Sequence, residues 1–138
     1  MHKQGMPATM QQAPKYADVL AEVKAFLVAR STACLQAGIT RERIVVDPGF
    51  GFGKTVEHNF RLLRELHTLV ALGYPVLAGF SRKASLGIVT GRQPDERLAA
   101  SIAVAMLCTQ NGATILRVHD VRETVDAINV LMAARNLT

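Results

Sequence analysis

Residues 44–54 read IVVDPGFGFGK, and this stretch decides the fold, because an apolar run leads directly into a glycine-rich loop. A helical pattern follows from residue 55, so the local order is strand, loop, helix, which is typical of an α/β protein. Glycine at three alternate positions removes the Cβ atoms that would keep a ligand away from the backbone, and it permits positive φ. The loop also carries two phenylalanines and the opposite charges of Asp47 and Lys54. A flat ring with polar edges would suit it as a ligand.

Two familiar glycine motifs do not describe this loop. A P-loop has four residues between its first glycine and the Gly-Lys pair, whereas Gly49 and Gly53 enclose three. The dinucleotide-binding fingerprint places its third glycine three positions after the second, and here Gly51 and Gly53 are two positions apart. The loop therefore predicts neither kind of nucleotide site. A glycine-rich connector without a ligand is the alternative.

The composition predicts one domain with an ordinary core, since 49% of the 138 residues are hydrophobic and 20% are charged. No apolar run approaches the roughly 20 residues that span a bilayer. The first residues also lack the apolar stretch of a signal peptide. We therefore expect no membrane partner and a cytoplasmic location. Cys34 and Cys108 each stand alone within a helical pattern, which indicates reduced core cysteines.

The net charge of +5 raises the question of nucleic-acid binding. The lysines and arginines are dispersed, however, and no segment interleaves basic with aromatic residues as single-strand binders do. We therefore expect no nucleic-acid partner. A basic excess also suits an anionic small-molecule substrate, and a solvated surface is the alternative.

The rest of the chain repeats the order strand, loop, helix. Continuous apolar runs predict strands covered on both faces, as in a parallel sheet, over residues 43–46, 75–80 and 113–118. Apolar residues at helical spacing predict four main helices, over residues 15–37, about 55–73, 96–110 and from 121 onward. Residues 81–89 read as a loop with a short helical turn. Asp95 and Asp120 stand where they would cap the last two helices.

The spacing of the strand ends indicates repeated β/α units. Successive strands end at Asp47, Ser81 and His119, which are 34 and 38 residues apart. A closed (β/α)8 barrel needs about 250 residues, so three complete parallel strands with four main helices predict half of one. Met1 and His2 would be the tip of a further strand. A small doubly wound sheet, complete in itself, is the alternative.

Three groups of side chains at these strand ends could carry chemistry. The Asp47 carboxylate could accept hydrogen bonds from an amino-substituted heterocycle, although Asp before proline also initiates turns. Residues 81–83, with the sequence SRK, could bind a carboxylate or phosphate, or form a solvated loop. Arg117 and His119 fall on one face of their strand, where they could together hold a diphosphate.

Four motifs, in this order and at these spacings, resemble the C-terminal half of bacterial dihydropteroate synthases. They are MHKQGMPATMQ at residues 1–11, DPGFGFGK at 47–54, GFSRK at 79–83 and RVHD at 117–120, and the match extends to about residue 134. The resemblance implies a (β/α)8 barrel, of which residues 1–138 would be the second half, with the N-terminal half absent. It also implies condensation of 4-aminobenzoate with a dihydropterin diphosphate, giving dihydropteroate and diphosphate in folate synthesis. Sulfonamides would compete with the aminobenzoate.

The same resemblance implies how the two organic substrates would be bound. Asp47 would bind the nitrogens of the pterin ring, and Met1 would form an apolar wall of the pterin pocket. Lys83 would contact the pterin and line the aminobenzoate site, where Phe52 would pack.

The resemblance also implies what surrounds the leaving group. Arg117 and His119 would hold the diphosphate, and Mg²⁺ would be bound through the diphosphate and through residues of the family's first half. No covalent enzyme nucleophile is implied, because diphosphate leaves first and the arylamine attacks the resulting cation. The family further implies a homodimer formed through the late helices.

Two departures from the family pattern affect these expectations. The residue after the SRK triplet is often Ser, which can contact the aminobenzoate carboxylate, but here it is Ala84, with Ser85 one position further on. The family's first half carries a magnesium-binding Asn, further pterin-binding residues and mobile loops. We therefore expect the 138-residue chain alone to be inactive. The alternatives are a pterin-binding methyltransferase domain, which turnover with aminobenzoate would exclude, and a non-catalytic half-barrel.

Overall fold

The computed structural model describes residues 1–136 and shows an α/β fold. Its helices are α1 (Val19–Gln36), α2 (Val56–Arg64), α3 (His67–Val70), α4 (Ala84–Thr90), α5 (Leu98–Gln110) and α6 (Val121–Asn136). Its strands are β1 (Leu77–Ala78) and β2 (Ile115–Leu116), and short 3-10 turns occupy Arg41–Arg43 and Pro94–Glu96.

The sheet is parallel, as predicted, but shorter than predicted. Strands β1 and β2 pair Leu77 with Ile115 and Ala78 with Leu116, whereas Val46 forms a single parallel bridge to Val76. The prediction of three complete strands was therefore wrong. The 3-10 turn that ends at Arg43 and the proline at position 48 leave little extended chain on either side of Val46.

The helices follow the predicted order but not the predicted number. Residues 55–73 form two helices, α2 and α3, because the backbone leaves helical geometry at Glu65, where φ is −103° and ψ is 19°. The predicted loop at 81–89 contains α4. The prediction of four main helices was therefore wrong, and the described residues form six.

One of the predicted helix caps was wrong. Helix α5 begins after Arg97, without a side-chain cap, and Asp95 lies in the preceding 3-10 turn. Asp120 directly precedes α6 and its carbonyl accepts the Thr124 N–H at 3.1 Å, while its carboxylate is engaged by the Arg82 guanidinium. Helix α1, in contrast, has a clear cap, because Asp18 accepts hydrogen bonds from two backbone amides of its first turn at 3.0 and 3.1 Å.

The hydrophobic core lies between the sheet and helices α1, α2 and α5, and it includes Val23, Leu62, Val76 and Cys108. Phe50 of the glycine loop is part of it and stacks on Phe80 with ring centroids 4.6 Å apart. The loop is therefore anchored by its own first aromatic side chain. Burial raises the pKa of the Cys108 thiol to about 12, which suits a core residue. Within residues 1–136, no helix combines the length and the apolar character needed to cross a bilayer.

Candidate functional site

The carboxyl ends of the parallel segments meet at one edge of the sheet, which we call the rim. A cavity of about 430 Å³ opens there. Its lining includes Lys83 after β1 and both Arg117 and His119 after β2. Asp47, after the Val46 bridge, is close enough to Lys83 to affect its pKa. Arg82 also lines this cavity, so the rim brings one carboxylate and four basic side chains into one neighbourhood.

The glycine loop packs against the first residues of the chain. A Cβ on Gly49 would overlap the His2 carbonyl oxygen, and a Cβ on Gly53 would overlap the Gln4 carbonyl oxygen. Both glycines also have positive φ, +70° and +67°, which side-chain-bearing residues rarely adopt. The interpretation that these glycines leave the backbone open to a ligand needs correction. Their close approach is to residues 2–4 of the chain itself.

Asp47 initiates a turn and still has acceptor capacity. Its Oδ1 accepts a hydrogen bond from the Gly49 N–H at 2.7 Å, which is an Asx-turn, and its carbonyl accepts the His2 N–H at 3.0 Å. Asp47 can therefore initiate the turn and still accept hydrogen bonds from a ligand. A carboxylate offers about four lone-pair sites, and the turn occupies one of them.

Lys83 lies over Phe52, with its ammonium 4.3 Å from the ring centroid. This is a cation–π contact. Burial lowers the pKa of Lys83, the Arg117 guanidinium adds to that effect, and Asp47 opposes it. The ammonium is thus held between an aromatic face and the cavity at the rim.

Arg117 and His119 line the same cavity, as alternation along the strand predicts. The Arg117 guanidinium lies against Gly79, where a Cβ would come within 2.9 Å of it. The His119 ring is oriented by Ser81, whose Oγ is 3.0 Å from Nδ1 and accepts the His119 backbone N–H at 3.3 Å. Two small residues after β1 therefore set the positions of the two basic side chains after β2.

Arg82 lines the same cavity as Lys83, but its side chain is engaged with the protein. It has a φ of +55°, and its guanidinium donates to both carboxylate oxygens of Asp120, at 3.1 and 2.6 Å. Its N–H donates to Ser101, and its carbonyl accepts from Arg97, both at 2.9 Å. The hydrogen bonds from Arg82 lower the pKa of Asp120. The sequence predicted that both Arg82 and Lys83 would be available to a ligand. Arg82 instead links the chain after β1 to the chain after β2 through its ion pair with Asp120.

A second cavity of about 370 Å³ adjoins the glycine loop, and Lys83, Ala84 and Ser85 are among its lining residues. Ala84 is exposed, while Ser85 is buried and its Oγ accepts a hydrogen bond from the Asn59 side chain at 2.9 Å. Asn59 in turn accepts the Gly51 N–H at 2.8 Å. Met1 is 55% exposed at the start of the segment that packs on the loop.

Sequence reasoning missed the residues that support the loop from beneath. Lys54 is buried and donates to the carbonyls of Gly49 and Phe52, at 2.9 and 3.2 Å, and contacts Nδ1 of His2 at 2.9 Å. The sequence did offer a signal for Lys54, because a residue directly after the last glycine ends the loop and can bond back to the loop's carbonyls. Asn59 lies within a helical pattern and gave no such signal.

The rim does not form a magnesium site from these residues. Among the residues that the structure describes, no group of three or more His, Cys, Asp or Glu side chains is arranged to hold a metal ion. Mg²⁺ prefers several oxygen ligands, whereas the side chains that line the rim cavity are mainly basic. A larger cavity, about 520 Å³, lies between α2 and α5, away from the strand ends.

The chain is similar to known proteins in sequence and in structure. The family model described as pterin binding enzyme matches residues 1–119. The dihydropteroate synthase of Haemophilus influenzae is 49% identical over 136 residues, which are 99% of this chain and 50% of that protein.

Two solved structures are also similar. Dihydropteroate synthase from Stenotrophomonas maltophilia has a TM-score of 0.96 and 49% identity, over 99% of this chain and 52% of that one. Dihydropteroate synthase from Xanthomonas albilineans, in complex with 7,8-dihydropteroate, has a TM-score of 0.90 and 50% identity, over 97% of this chain and 50% of that one. The chain spans about half the length of the curated relatives it matches.

Proposed function

Because the chain belongs to the pterin-binding enzyme family, we propose that it carries part of the active site of a dihydropteroate synthase. The reaction joins 4-aminobenzoate to the methylene carbon of a dihydropterin diphosphate and releases diphosphate. The observation that carries the proposal is the meeting of Lys83, Arg117 and His119 at one cavity beside the glycine loop. In this proposal the chain forms the second half of a (β/α)8 barrel, and its rim is the barrel's active-site face.

The proposed chemistry needs stabilisation of a leaving group more than it needs a nucleophile on the enzyme. The bond between the methylene carbon and the diphosphate oxygen breaks, and the electron pair leaves with diphosphate. The arylamine nitrogen then forms the new C–N bond and loses a proton. Basic side chains fixed in advance around the departing oxygens would lower this barrier. Arg117 and His119 have that role in our proposal, with their positions set by Gly79 and Ser81.

Asp47 is proposed to bind the pterin ring. Its remaining acceptor sites could receive N–H groups from the amino-substituted edge of the ring. Its carboxylate is already oriented by the Gly49 N–H, so little side-chain entropy would be lost on binding. Met1, at the start of the segment that packs on the loop, is proposed to add an apolar wall.

Phe52 and Lys83 are proposed to bind the aminobenzoate. The Phe52 ring would pack near the substrate's ring, and the Lys83 ammonium over it would contact both substrates. Ala84 offers no hydroxyl to the substrate carboxylate, and the Ser85 hydroxyl is engaged with Asn59. We therefore propose that Lys83 carries more of the aminobenzoate recognition here than in relatives with Ser at position 84. Sulfonamides would compete for the same position.

Magnesium and a homodimer are also part of the proposal. Since the described residues lack a metal cluster, Mg²⁺ would be held by the substrate diphosphate and by groups outside them, and no step of the mechanism above depends on it. A homodimer through the late helices is supported by exposed apolar side chains on α5 and α6, namely Leu107, Val125, Val130 and Met132. The cytoplasmic location stays a prediction.

A chimeric enzyme tests the proposed function directly. Residues 1–136 would replace the matching half of the Haemophilus influenzae dihydropteroate synthase, to which the chain is 49% identical. We expect the chimera to form dihydropteroate and to release diphosphate in equal amounts when 4-aminobenzoate is supplied. Pterin binding without aminobenzoate turnover would instead favour the methyltransferase alternative. A folded chimera that binds no pterin would favour the non-catalytic one.

A further inference from the structure

Lys54 is a buried cation whose donors are all directed into the protein. Its side chain is 4% exposed, although lysine is rarely buried without partners. Its three N–H groups have three acceptors, namely the carbonyls of Gly49 and Phe52 and Nδ1 of His2. None of these is a carboxylate. In a P-loop the corresponding lysine reaches a phosphate, whereas this ammonium is satisfied by the loop itself.

The partner on the other segment, His2, must be a neutral acceptor. An ammonium can only donate, so Nδ1 of His2 carries a lone pair and the ring proton lies on Nε2. Burial lowers the pKa of His2 to about 4, and the charge of Lys54 acts in the same direction. The ring packs perpendicular to Phe26, with centroids 5.1 Å apart, and lies 6.1 Å from Tyr16. Its acceptor atom is therefore held toward Lys54.

Several other contacts join the same two segments. The His2 N–H donates to the Asp47 carbonyl at 3.0 Å, and the Tyr16 hydroxyl donates to the Gly53 carbonyl at 2.8 Å. Lys54 differs from them because it bonds two carbonyls within the loop and one atom outside it. It therefore both closes the loop and attaches it to the first residues.

We propose that Lys54 is a positioning residue, whose ammonium closes the glycine loop and fastens it to His2, and so holds Asp47 and Phe52 in place for their ligands. The inference rests on the proposed function for the identity of those ligands. The fastening itself involves protein groups alone. It can therefore be measured separately from ligand binding.

The experiment compares Lys54→Met with Lys24→Met, a matched control on α1 outside the loop. Hydrogen exchange would be measured at the amides of His2 and Phe52. The His2 amide donates to the Asp47 carbonyl, and the Phe52 amide donates to the Gly49 carbonyl. Affinity for dihydropterin diphosphate would be measured by calorimetry on the chimeric enzyme that carries the same substitutions. Losing hydrogen bonds from a charged donor should speed exchange and weaken binding by about tenfold or more. Exchange within α5 should not change, because Lys54 does not contact that helix in this arrangement.

Two substitutions of His2 separate the hydrogen bond from simple packing. In His2→Asn an acceptor oxygen is bonded to Cγ, as Nδ1 is in histidine. His2→Phe retains an aromatic ring but has no acceptor atom. We expect His2→Asn to preserve exchange and affinity to within about threefold, clearly less than the tenfold or larger effect of losing the charged donor. His2→Phe should resemble Lys54→Met, and the double variant should be little worse than either.

The opposite results would overturn the inference. If Lys54→Met matches Lys24→Met in exchange and affinity, or if His2→Phe behaves like the unmodified chain, Lys54 has no positioning role. If Lys54→Met speeds exchange but the chimeric enzyme with the unmodified chain does not bind the pterin, the fastening is real but its role in positioning a pterin site is wrong. In that case the proposed function fails for this chain as well, and the exchange result keeps the two failures distinct.

Discussion

At the scale of single residues, the basic side chains at the rim differ in whether they are already paired. Arg82 and Lys83 are adjacent in sequence, yet Arg82 donates twice to Asp120 while Lys83 rests on the Phe52 ring. Both side chains line the rim cavity, so the difference lies in their partners. Sequence spacing could not reveal it, because both cations follow the same strand. Pairing leaves Lys83 as the residue of this pair that can serve a ligand.

The first prediction concerns the assigned roles at the rim. In the chimeric enzyme, Arg117→Ala and His119→Ala should weaken binding of dihydropterin diphosphate, while Lys83→Ala should also raise the KM for aminobenzoate. Removal of one charge-assisted contact costs about 1.5–3 kcal/mol, or roughly 10–100-fold. Steady-state kinetics with each substrate varied would measure both effects. Arg92→Ala is the control, because Arg92 is exposed and pairs at 3.8 Å with Glu96 on the surface. Kinetics equal to the control in all three variants would refute the roles.

The second prediction concerns the pH dependence of stability. The pKa of His2 is lowered from 6.5 to about 4, so the unfolded chain takes up the proton first as the pH falls. The native state should therefore lose stability between pH 6.5 and 4, and this contribution should be fully present above pH 6.5. His2→Asn cannot titrate, so its unfolding free energy should fall less over that interval. Denaturant unfolding at several pH values would measure it. Parallel pH profiles for the two proteins would show that His2 is not the titrating group.

At the scale of elements, the sequence predicted the order and the direction of the segments but not all of their limits. The spacing of apolar residues predicted one helix that continues through Glu65. Leu62, Leu66 and Leu69 are all buried, as that spacing suggests, although the helix is broken between them. The helical turn predicted within residues 81–89 is longer than expected, since α4 extends over seven residues to Thr90. It contains Gly87, against which the Arg97 guanidinium lies.

The glycine loop illustrates the same limit for the candidate site. Its three glycines and two aromatic residues predicted a close backbone approach, and one occurs. The sequence could not say that residues 2–4, about 47 positions away, are what approaches. Contacts between distant segments depend on the fold, and no local pattern encodes their partners. The strand-end residues could be predicted because a parallel sheet brings its carboxyl ends together whatever the distance in sequence.

The third prediction tests the two reasons for glycine at position 53. Gly53→Ala should destabilise the fold, because the new methyl group would overlap the Gln4 carbonyl and the backbone has positive φ. Gly38→Ala is the matched control, since Gly38 has a φ of +83° but open space around it. The control should cost about 1–2 kcal/mol for the left-handed conformation. Gly53→Ala should cost clearly more, as measured by denaturant unfolding. Equal costs would mean that the packing of residues 2–4 on the loop contributes little.

At the scale of the whole molecule, the described residues leave apolar surface at two kinds of position. In the sheet, the order is the Val46 bridge, β1, then β2, so the outer side of β2 has no strand beside it within residues 1–136. On the helices, Val130 is 67% exposed and Val125 is 48% exposed along α6. Open strand edges and apolar patches both promote association. Two different surfaces could therefore bring copies of the chain together.

The fourth prediction is that the 138-residue chain associates and that single lysine substitutions identify the surface. Sedimentation velocity over a wide concentration range should show dimers or larger species of the unmodified chain. If the late helices form a dimer, Val130→Lys should shift the distribution toward monomer, because a charge would have to be buried in the contact. If the open edge of β2 is responsible, Ile115→Lys should do so, since an edge lysine opposes strand addition. A monomer at all concentrations would contradict both routes.

Neither kind of association supplies the substrate-binding groups of the family's first half, so we expect no dihydropteroate formation from these assemblies. Turnover by the purified chain would show that residues 1–138 contain everything that the reaction requires.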